Sequence, residues 1–168
     1  MGFKTTIEYL GSVAELVYKE TGLLPHLNPG NMTIEEMEML REHSVSMGIM
    51  LESSSEQLCQ KGGPHYGSPD KLPKARLQTI KNAGKLRIPI TTGILIGIGE
   101  TIEERIQSLL EIKNMHDDYG HIQEVIIQNF IPKEDTRMKK HSPASKQDLL
   151  WTLSAARIIF GKDINIQC

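Results

Sequence analysis

Residues 88–101 read IPITTGILIGIGET, and they decide the fold class because they join a strand directly to a helix. Positions 88–98 carry no charged residue and are rich in isoleucine and threonine, which is typical of a strand buried on both faces. Thr101 follows, with Glu104 at the capping-box spacing that begins a helix, and Gly120 is placed to end that helix. The segment therefore predicts a strand–helix unit of the kind that builds parallel sheets.

The same alternation continues on both sides of this segment. Further elements are predicted as strands at Leu23–Leu27, Met47–Leu51, Val125–Asn129 and Ile164–Ile166, and as helices at Thr6–Thr21, Thr33–His43, Pro73–Gly84 and Ser145–Phe160. This pattern predicts one parallel sheet with its strands in chain order, in either a doubly wound sheet or a barrel. The 168 residues suffice for a single domain, 1–168, whereas a complete (β/α) barrel needs about 250 residues.

Apolar stripes indicate which helix residues face the core. In the first helix the stripe runs from Ile7 through Leu16 and Val17, and in the helix after Thr101 it includes Leu109 and Leu110.

Composition and charge exclude several classes of partner. Net charge is −2, from 19 basic and 21 acidic residues, and aromatic residues make up 5% of the chain. We therefore expect no nucleic-acid partner and no membrane partner, since no run of about 18 apolar residues is present. Cys59 and Cys168 form no Cys-x-x-Cys pair, and no pair of histidines shows a His-Glu-x-x-His spacing. The chain is interpreted as cytoplasmic, with reduced thiols and without a metal site.

Polar residues stand where successive predicted strands end. Parallel architectures gather ligands at these carboxyl ends, although strand ends also meet solvent, where polar residues belong. The candidates are Asn28, Glu52, Glu100, Gln128 with Asn129, and Gln167. We expect Glu52, Glu100 and Gln128 to converge at one mouth of the sheet.

Two further segments invite a binding interpretation. The glycines from Gly93 to Gly99 would let the backbone approach a nucleotide, or would simply form a tight turn, and their spacing matches neither a Rossmann fingerprint nor a P-loop. The loop at 62–71 contains His65, which is a better candidate for a buried or functional role than histidines at helix ends, such as His43 and His116. Arg76 follows it and could clamp a carboxylate through two hydrogen bonds.

Several short motifs carry a family resemblance over nearly the whole chain. They are TGLLPH at 21–26, NPG at 28–30, MLES at 50–53, GGPHYGSPDK at 62–71, TGILIGIGET at 92–101, GHIQEV at 120–125, QNF at 128–130 and NIQ at 165–167. Together they resemble the FO synthases, a family of radical S-adenosylmethionine (SAM) enzymes that form a deazaflavin chromophore. The 62–71 loop is the most specific of these motifs, because the 92–101 pattern is shared by many radical SAM enzymes.

The resemblance implies a fold, cofactors and roles for individual residues. The fold would be a partial radical SAM barrel containing about strands 3 to 7 of the parent. The parent would use SAM and a 4Fe–4S cluster on an adduct of tyrosine and a ribityl-diaminouracil, which a partner synthase supplies, with loss of ammonia. Glu52 and Arg76 would bind the methionine part of SAM, and Gly97 and Glu100 would shape the adenosyl site. The substrate would be faced by His65, Tyr66, Gln128 and Asn129.

One family feature is missing from this sequence. The family holds its cluster in a Cys-x-x-x-Cys-x-x-Cys loop, whereas this chain has only the separate Cys59 and Cys168. We therefore expect that this chain does not bind the cluster and that it is a fragment of the parent enzyme. Two alternatives stay open: another radical SAM enzyme, of the menaquinone branch, or an inactive barrel remnant that only binds a ligand or partner.

Overall fold

A computed structural model describes residues 2–168 and contains one parallel sheet with helices between its strands. The strands are β1 (His26–Leu27), β2 (Ser46–Gly48), β3 (Ile90–Ile96), β4 (Ile122–Asn129) and β5 (Asn165–Gln167). The helices are α1 (Thr6–Thr21), α2 (Ile34–Arg41), α3 (Pro73–Lys85), α4 (Ile102–Tyr119) and α5 (Lys146–Phe160), with short 3₁₀ turns at Glu56–Cys59 and Pro69–Lys71.

The order of the strands distinguishes between the two architectures that the sequence left open. All neighbouring strands are parallel, and they are arranged β1-β2-β3-β4-β5, so the predicted chain order is confirmed. A doubly wound sheet reverses its direction of growth at a switch point and carries helices on both faces. Here the sheet grows in one direction only, as the wall of a barrel does.

The hydrophobic core lies on a single face of this sheet. Each helix contributes to one continuous buried cluster, represented by Ile7, Leu40, Ile80, Leu109 and Ala156. The strand residues in the same cluster alternate along their strands, as the pleat of a sheet requires, and include Met47, Ile49, Ile90, Ile94, Ile96, Val125 and Ile127. The opposite face carries Thr91, Gly93, Leu95 and Gln128, and Gln128 is exposed. The sheet therefore has a packed outer face and a partly polar inner face.

Helix termini agree closely with the sequence prediction because their signals are local. Thr33 and Thr101 each form a complete capping box, with Glu36 and Glu104 respectively. Gly22 ends α1, as expected, in the left-handed conformation.

Gly84 was predicted to end α3, and that prediction is wrong. Gly84 lies inside the helix, which continues to Lys85. A side chain at Gly84 would place its Cβ 2.6 Å from Cγ of Tyr119. Glycine is needed at this position because α3 and the end of α4 pack closely together there.

Strand boundaries agree less well. Leu23 and Leu24 lie outside β1 and are each 65% exposed, because the amide of Leu23 donates to Oγ1 of Thr21 in a turn that follows α1. Leu16 and Leu110, which were expected to face the core, are also exposed, as is Val17. These helix residues lie at the margins of their apolar stripes. Among residues 2–168, no helix is both long and apolar enough to cross a membrane.

Candidate functional site

Glu52 ends the extended segment after β2 in an unusual backbone conformation. Its φ is 64°, in the left-handed region that residues other than glycine rarely occupy. The conformation is held from both sides by β3, since the Glu52 amide donates to Gly93 O at 3.0 Å and the Leu95 amide donates to Glu52 O at 2.9 Å. Strain of this kind, about 1–3 kcal/mol, persists only where the surroundings impose it and is common at functional sites.

Three cationic or protonatable groups surround the Glu52 carboxylate. His65 Nε2 lies 3.0 Å from Oε2, Arg76 Nη1 lies 3.2 Å from Oε1, and Lys71 Nζ also contacts Oε1. Burial by itself would raise the pKa of Glu52. It is outweighed by hydrogen bonds from His65 and Lys71 and by the charge of Arg76, so that the pKa falls to about 2. The carboxylate is therefore ionised throughout the physiological pH range.

Arg76 is fixed in place by the loop that precedes it. Its Nε donates to Asp70 O at 2.9 Å, and its Nη1 donates to Met50 O as well as to Glu52. The buried guanidinium thus ties the end of the 62–71 loop to the carboxyl end of β2. Nη2 lies 3.9 Å from Asp70 Oδ2, beyond hydrogen-bond distance.

The Gly97–Glu100 turn is organised around a second buried carboxylate. Glu100 accepts hydrogen bonds from the amides of Gly97 and Ile98, both at 2.8 Å, and from Arg105 Nε at 2.7 Å. Its side chain is only 2% exposed, so Glu100 shapes the turn from within. Gly97 has a φ of 87° and packs against Ala144, whose N would lie 2.5 Å from a Cβ at Gly97.

The predicted substrate-facing residues occupy different surroundings. Tyr66 is 45% exposed and lines a cavity, and Gln128 is exposed on the inner face of the sheet. Asn129 donates from Nδ2 to Ala144 O at 3.3 Å, while its buried Oδ1 has no hydrogen-bond partner within residues 2–168. That oxygen is a candidate acceptor for a ligand donor.

The structure brings together some of the predicted site residues and not others. Glu52, Arg76 and His65 form one cluster, and Gly97 and Glu100 form another at the adjoining strand end. Within the described part of the chain, the side chains of Glu52, Glu100 and Gln128 share the carboxyl edge of the sheet without hydrogen bonds or ion pairs to one another, so their convergence on a ligand stays a prediction.

Sequence reasoning missed two basic residues that hold these clusters. Lys71 pairs with Glu52, and Arg105 pairs with Glu100 and reaches Asp148 at 3.5 Å. Lys71 is the last residue of the 62–71 motif, and its place in that motif could have identified it as a site residue. Arg105 follows Glu100 by little more than one helical turn, a spacing that could have suggested the pair.

The cysteines do not fit a three-thiolate cluster site. Both cysteines are free, and Cys168 is exposed. Cys59 is partly buried, and this burial and the charge of the nearby Glu56 both raise the pKa of its thiol. Across residues 2–168, no three His, Cys, Asp or Glu side chains are arranged to hold a metal ion. A SAM-cleaving cluster needs three cysteine ligands, and this sequence contains two cysteines.

Comparison with curated proteins identifies close relatives. The chain is 49% identical over 166 residues to the 7,8-didemethyl-8-hydroxy-5-deazariboflavin synthase of Methanopyrus kandleri, covering 99% of this chain and 49% of that protein. It is 50% identical to the enzyme of the same name from Methanococcus vannielii, of which it covers 47%, and 48% identical to the FO synthase of Mycobacterium tuberculosis, of which it covers 20%. The chain therefore spans about half the length of the curated deazariboflavin synthases that it matches. No protein-family model matches the chain.

Solved structures with a similar fold are more distant in sequence. The FeFe-hydrogenase maturase HydG from Carboxydothermus hydrogenoformans superimposes with a TM-score of 0.80 at 17% identity, covering 96% of this chain and 38% of that one. Methylornithine synthase (PylB) gives a TM-score of 0.69 at 19% identity, covering 96% of this chain and 52% of that one. These likenesses confirm the predicted fold class, an incomplete parallel (β/α) barrel.

Proposed function

The chain is a homologue of the FO synthases along 99% of its length, and from this premise we propose that it forms the SAM-facing and substrate-facing part of a deazaflavin-forming radical SAM enzyme. The observation that carries the proposal is an overall identity of 47–50% over 99% of this chain, a span that includes the sheet and the segments that form the Glu52 cluster. The proposed location is the cytoplasm, where free thiols such as Cys59 stay reduced.

The geometry of the Glu52 cluster supports a role in binding the methionine part of SAM. A carboxylate offers about four acceptor positions, and His65, Lys71 and Arg76 occupy three of those on Glu52. One position remains for a ligand ammonium group. The Nη2 donors of Arg76, which make no hydrogen bond within residues 2–168, are available to a ligand carboxylate. An amino-acid head group needs this combination of acceptor and donor side by side.

The Gly97–Glu100 turn supports a role at the adenosyl part of SAM. Glu100 holds the amides of Gly97 and Ile98 in a fixed turn, and a Cβ at the neighbouring Gly99 would meet no atom within 4 Å. A flat ring could therefore approach this backbone closely. The unpartnered Oδ1 of Asn129 on the neighbouring strand could accept a hydrogen bond from the ligand.

The proposed substrate is the tyrosine–ribityldiaminouracil adduct, which a partner synthase supplies, and ring closure releases ammonia. When bound in such an enzyme, SAM and a 4Fe–4S cluster supply the 5′-deoxyadenosyl radical. The inner face of the sheet and the loop at His65 and Tyr66 would hold the adduct. Because the two cysteines cannot provide three thiolates, residues 2–168 would supply binding surfaces for SAM and the adduct and not the cluster ligands.

A chimera tests this proposal directly. The 166 aligned residues of this chain would replace the matching segment of the Methanopyrus kandleri relative, whose remaining sequence would be kept. With the adduct-forming synthase and SAM under reducing, anaerobic conditions, the chimera is expected to form the fluorescent deazaflavin. The matched control is a chimera carrying Arg76→Gln, which is expected to lose SAM cleavage at least about tenfold, because a hydrogen bond to a charged ligand contributes about 1.5–3 kcal/mol.

The chimera also separates the alternatives. Formation of 5′-deoxyadenosine without deazaflavin would indicate a radical SAM enzyme with another substrate, such as one of the menaquinone branch. A folded chimera that fails to cleave SAM would indicate a barrel remnant that only binds a ligand or partner. Either result contradicts the proposed function.

The chain by itself is expected neither to assemble a 4Fe–4S cluster nor to cleave SAM. Two thiolates leave a SAM-cleaving cluster one protein ligand short, and no histidine stands at the spacing of the family's cysteine loop from either cysteine. Anaerobic reconstitution with iron and sulfide, followed by an assay for 5′-deoxyadenosine with dithionite, measures both properties. Cluster absorbance approaching one cluster per chain, together with 5′-deoxyadenosine, would disprove the prediction.

A further inference from the structure

A row of mostly polar residues runs across the inner face of the sheet. The strand register pairs Gly48 with Thr91, Thr91 with Glu124, and Glu124 with Asn165. Asn28, directly after β1, extends the row, since its Nδ2 would lie 3.4 Å from a Cβ at Gly48. Residues paired in this way point to the same face and follow one another at about 4.8 Å, the spacing of neighbouring strands. We call these five positions the inner polar row.

Glu124 is the charged member of this row. Among the strand residues that the structure describes, it is the only aspartate, glutamate, lysine or arginine. Its side chain is half-buried, yet it forms no ion pair and no hydrogen bond with any other part of residues 2–168, whereas Glu52 and Glu100 each have a basic partner. A complete barrel would shield this face from solvent, where a carboxylate without hydrogen bonds is strongly unfavourable. Glu124 is therefore positioned to accept hydrogen bonds from a ligand.

The other polar members of the row both donate and accept hydrogen bonds. Asn28 and Asn165 are exposed and carry amides, which have two donor hydrogens and an acceptor oxygen. The Thr91 hydroxyl accepts from Nε2 of Gln123 at 3.4 Å and keeps its own hydrogen for donation. The row thus places a group that only accepts between groups that do both.

This combination suits a neutral chain of hydroxyl groups. Each hydroxyl can donate a charge-assisted hydrogen bond to the Glu124 carboxylate or accept from a neighbouring amide. A phosphate or carboxylate ligand would be repelled by Glu124, and an ammonium ligand would leave the amide donors unused. An extended polyol can lie along the row with its hydroxyl groups facing successive strands.

The row lies deeper in the sheet than the proposed SAM site. Ile94 is bridged to Glu52, and Thr91 precedes Ile94 by three residues of β3. At about 3.3 Å per residue, the row is about 10 Å from the level of Glu52, towards the amino ends of the strands. A ligand group bound there is remote from the methionine and adenosyl positions.

We propose that the inner polar row, with Glu124 as its anionic acceptor, binds the ribityl chain of the substrate and determines specificity for it. The inference rests on the proposed function, in which the inner face of the sheet holds the adduct. The ribityl chain is the polyhydroxyl part of that adduct. Its binding along the row would direct the ring system towards the carboxyl ends of the strands, where SAM is placed.

A matched pair of probes tests the inference on the chain itself. The ribityl-diaminouracil and the same diaminouracil with a methyl group in place of the ribityl chain differ only in the polyol. Their dissociation constants would be measured by titration calorimetry, without SAM, for wild type, Glu124→Gln and Asn165→Ala. Glu38→Gln is the control, since it removes the same charge from the exposed face of α2. Circular dichroism would establish that each variant is folded, and Asn165→Ala decides alone if Glu124→Gln is not.

Wild type and Glu38→Gln are expected to bind the ribityl compound about tenfold more tightly than the methyl compound, which corresponds to about 1.4 kcal/mol. Glu124→Gln is expected to lose most of that preference, and Asn165→Ala is expected to reduce it about threefold, as loss of a neutral hydrogen bond does. A preference that is absent in wild type, or that a folded Glu124→Gln chain retains, would overturn the inference.

The ribose of SAM also carries hydroxyl groups, so SAM and its 2′-deoxy analogue would be titrated in parallel. An effect of Glu124→Gln confined to that pair would place the ribose at the row and would likewise overturn the inference. None of these titrations depends on deazaflavin formation by the chimera. Failure of the inference is therefore distinguishable from failure of the proposed function.

Discussion

Gly93→Ala is expected to destabilise the fold of this chain strongly. Gly93 is buried in β3, and a Cβ at this position would lie 2.1 Å from Ile126 O and 2.8 Å from Ile126 C and N. These are backbone atoms of the paired strand β4, so no side-chain rotation can relieve the contact. The two strands would have to separate, and Gly93 O also accepts the amide hydrogen bond of Glu52.

The expected loss is at least about 3 kcal/mol, the upper end for overpacking a core, and domains of this size have only about 5–15 kcal/mol of stability. Urea unfolding monitored by circular dichroism would measure it. Gly11→Ala is the matched control, since Gly11 lies inside α1 and a Cβ there would meet only side chains, the His43 ring at 3.3 Å and Leu40 Cδ2 at 3.6 Å. Alanine also favours a helix by about 1 kcal/mol over glycine, which offsets that contact. A Gly93→Ala chain that unfolds at the same urea concentration as the Gly11→Ala chain would contradict the prediction.

The sequence predicted the features that depend on local chemistry. Capping boxes at Thr33 and Thr101 placed helix starts correctly because the bonds join residues three positions apart. The burial of β3 followed from its uncharged isoleucine-rich run, and the parallel order followed from the alternation of elements. The motif at 62–71 was the strongest pointer to the relatives that the comparisons found.

Features that depend on distant parts of the chain could not be predicted in this way. Gly84 and Gly97 were interpreted through the flexibility of glycine, yet both also give room to residues far along the chain, Tyr119 and Ala144. The partners of Glu52 are separated from it by up to 24 positions, across a loop with no regular periodicity. The path of that loop decides whether the polar strand ends only meet solvent or form a charged cluster. The sequence alone could not distinguish these two arrangements.

Removing the charge of Glu52 is also expected to destabilise the chain strongly. Glu52→Gln keeps the size of the side chain but leaves Arg76, His65 and Lys71 without their anion. In the wild-type chain the pKa of Glu52 is about 2, against an ordinary value of 4.5. This difference corresponds to about 3 kcal/mol of stability at neutral pH. The Glu52 side chain is only 11% exposed, so solvent screens this cluster little. Removing one partner of a buried charge cluster costs a similar amount.

The pH dependence identifies the cause of this loss. Because folding lowers the pKa of Glu52, its contribution is fully present above the ordinary value of 4.5 and disappears as the pH falls towards about 2. The difference in unfolding free energy between wild type and Glu52→Gln should therefore be constant from pH 7 to about pH 5 and shrink steadily below that. Glu38→Gln, an exposed change on α2, should show no such difference. A difference that does not change with pH would mean that the loss does not come from the charge of the Glu52 carboxylate. Glu52→Gly checks this directly, since glycine relieves the backbone strain and still removes the carboxylate. If charge dominates, Glu52→Gly is also destabilised at pH 7, because the three basic groups still meet one another without the anion that holds the loop to the end of β2.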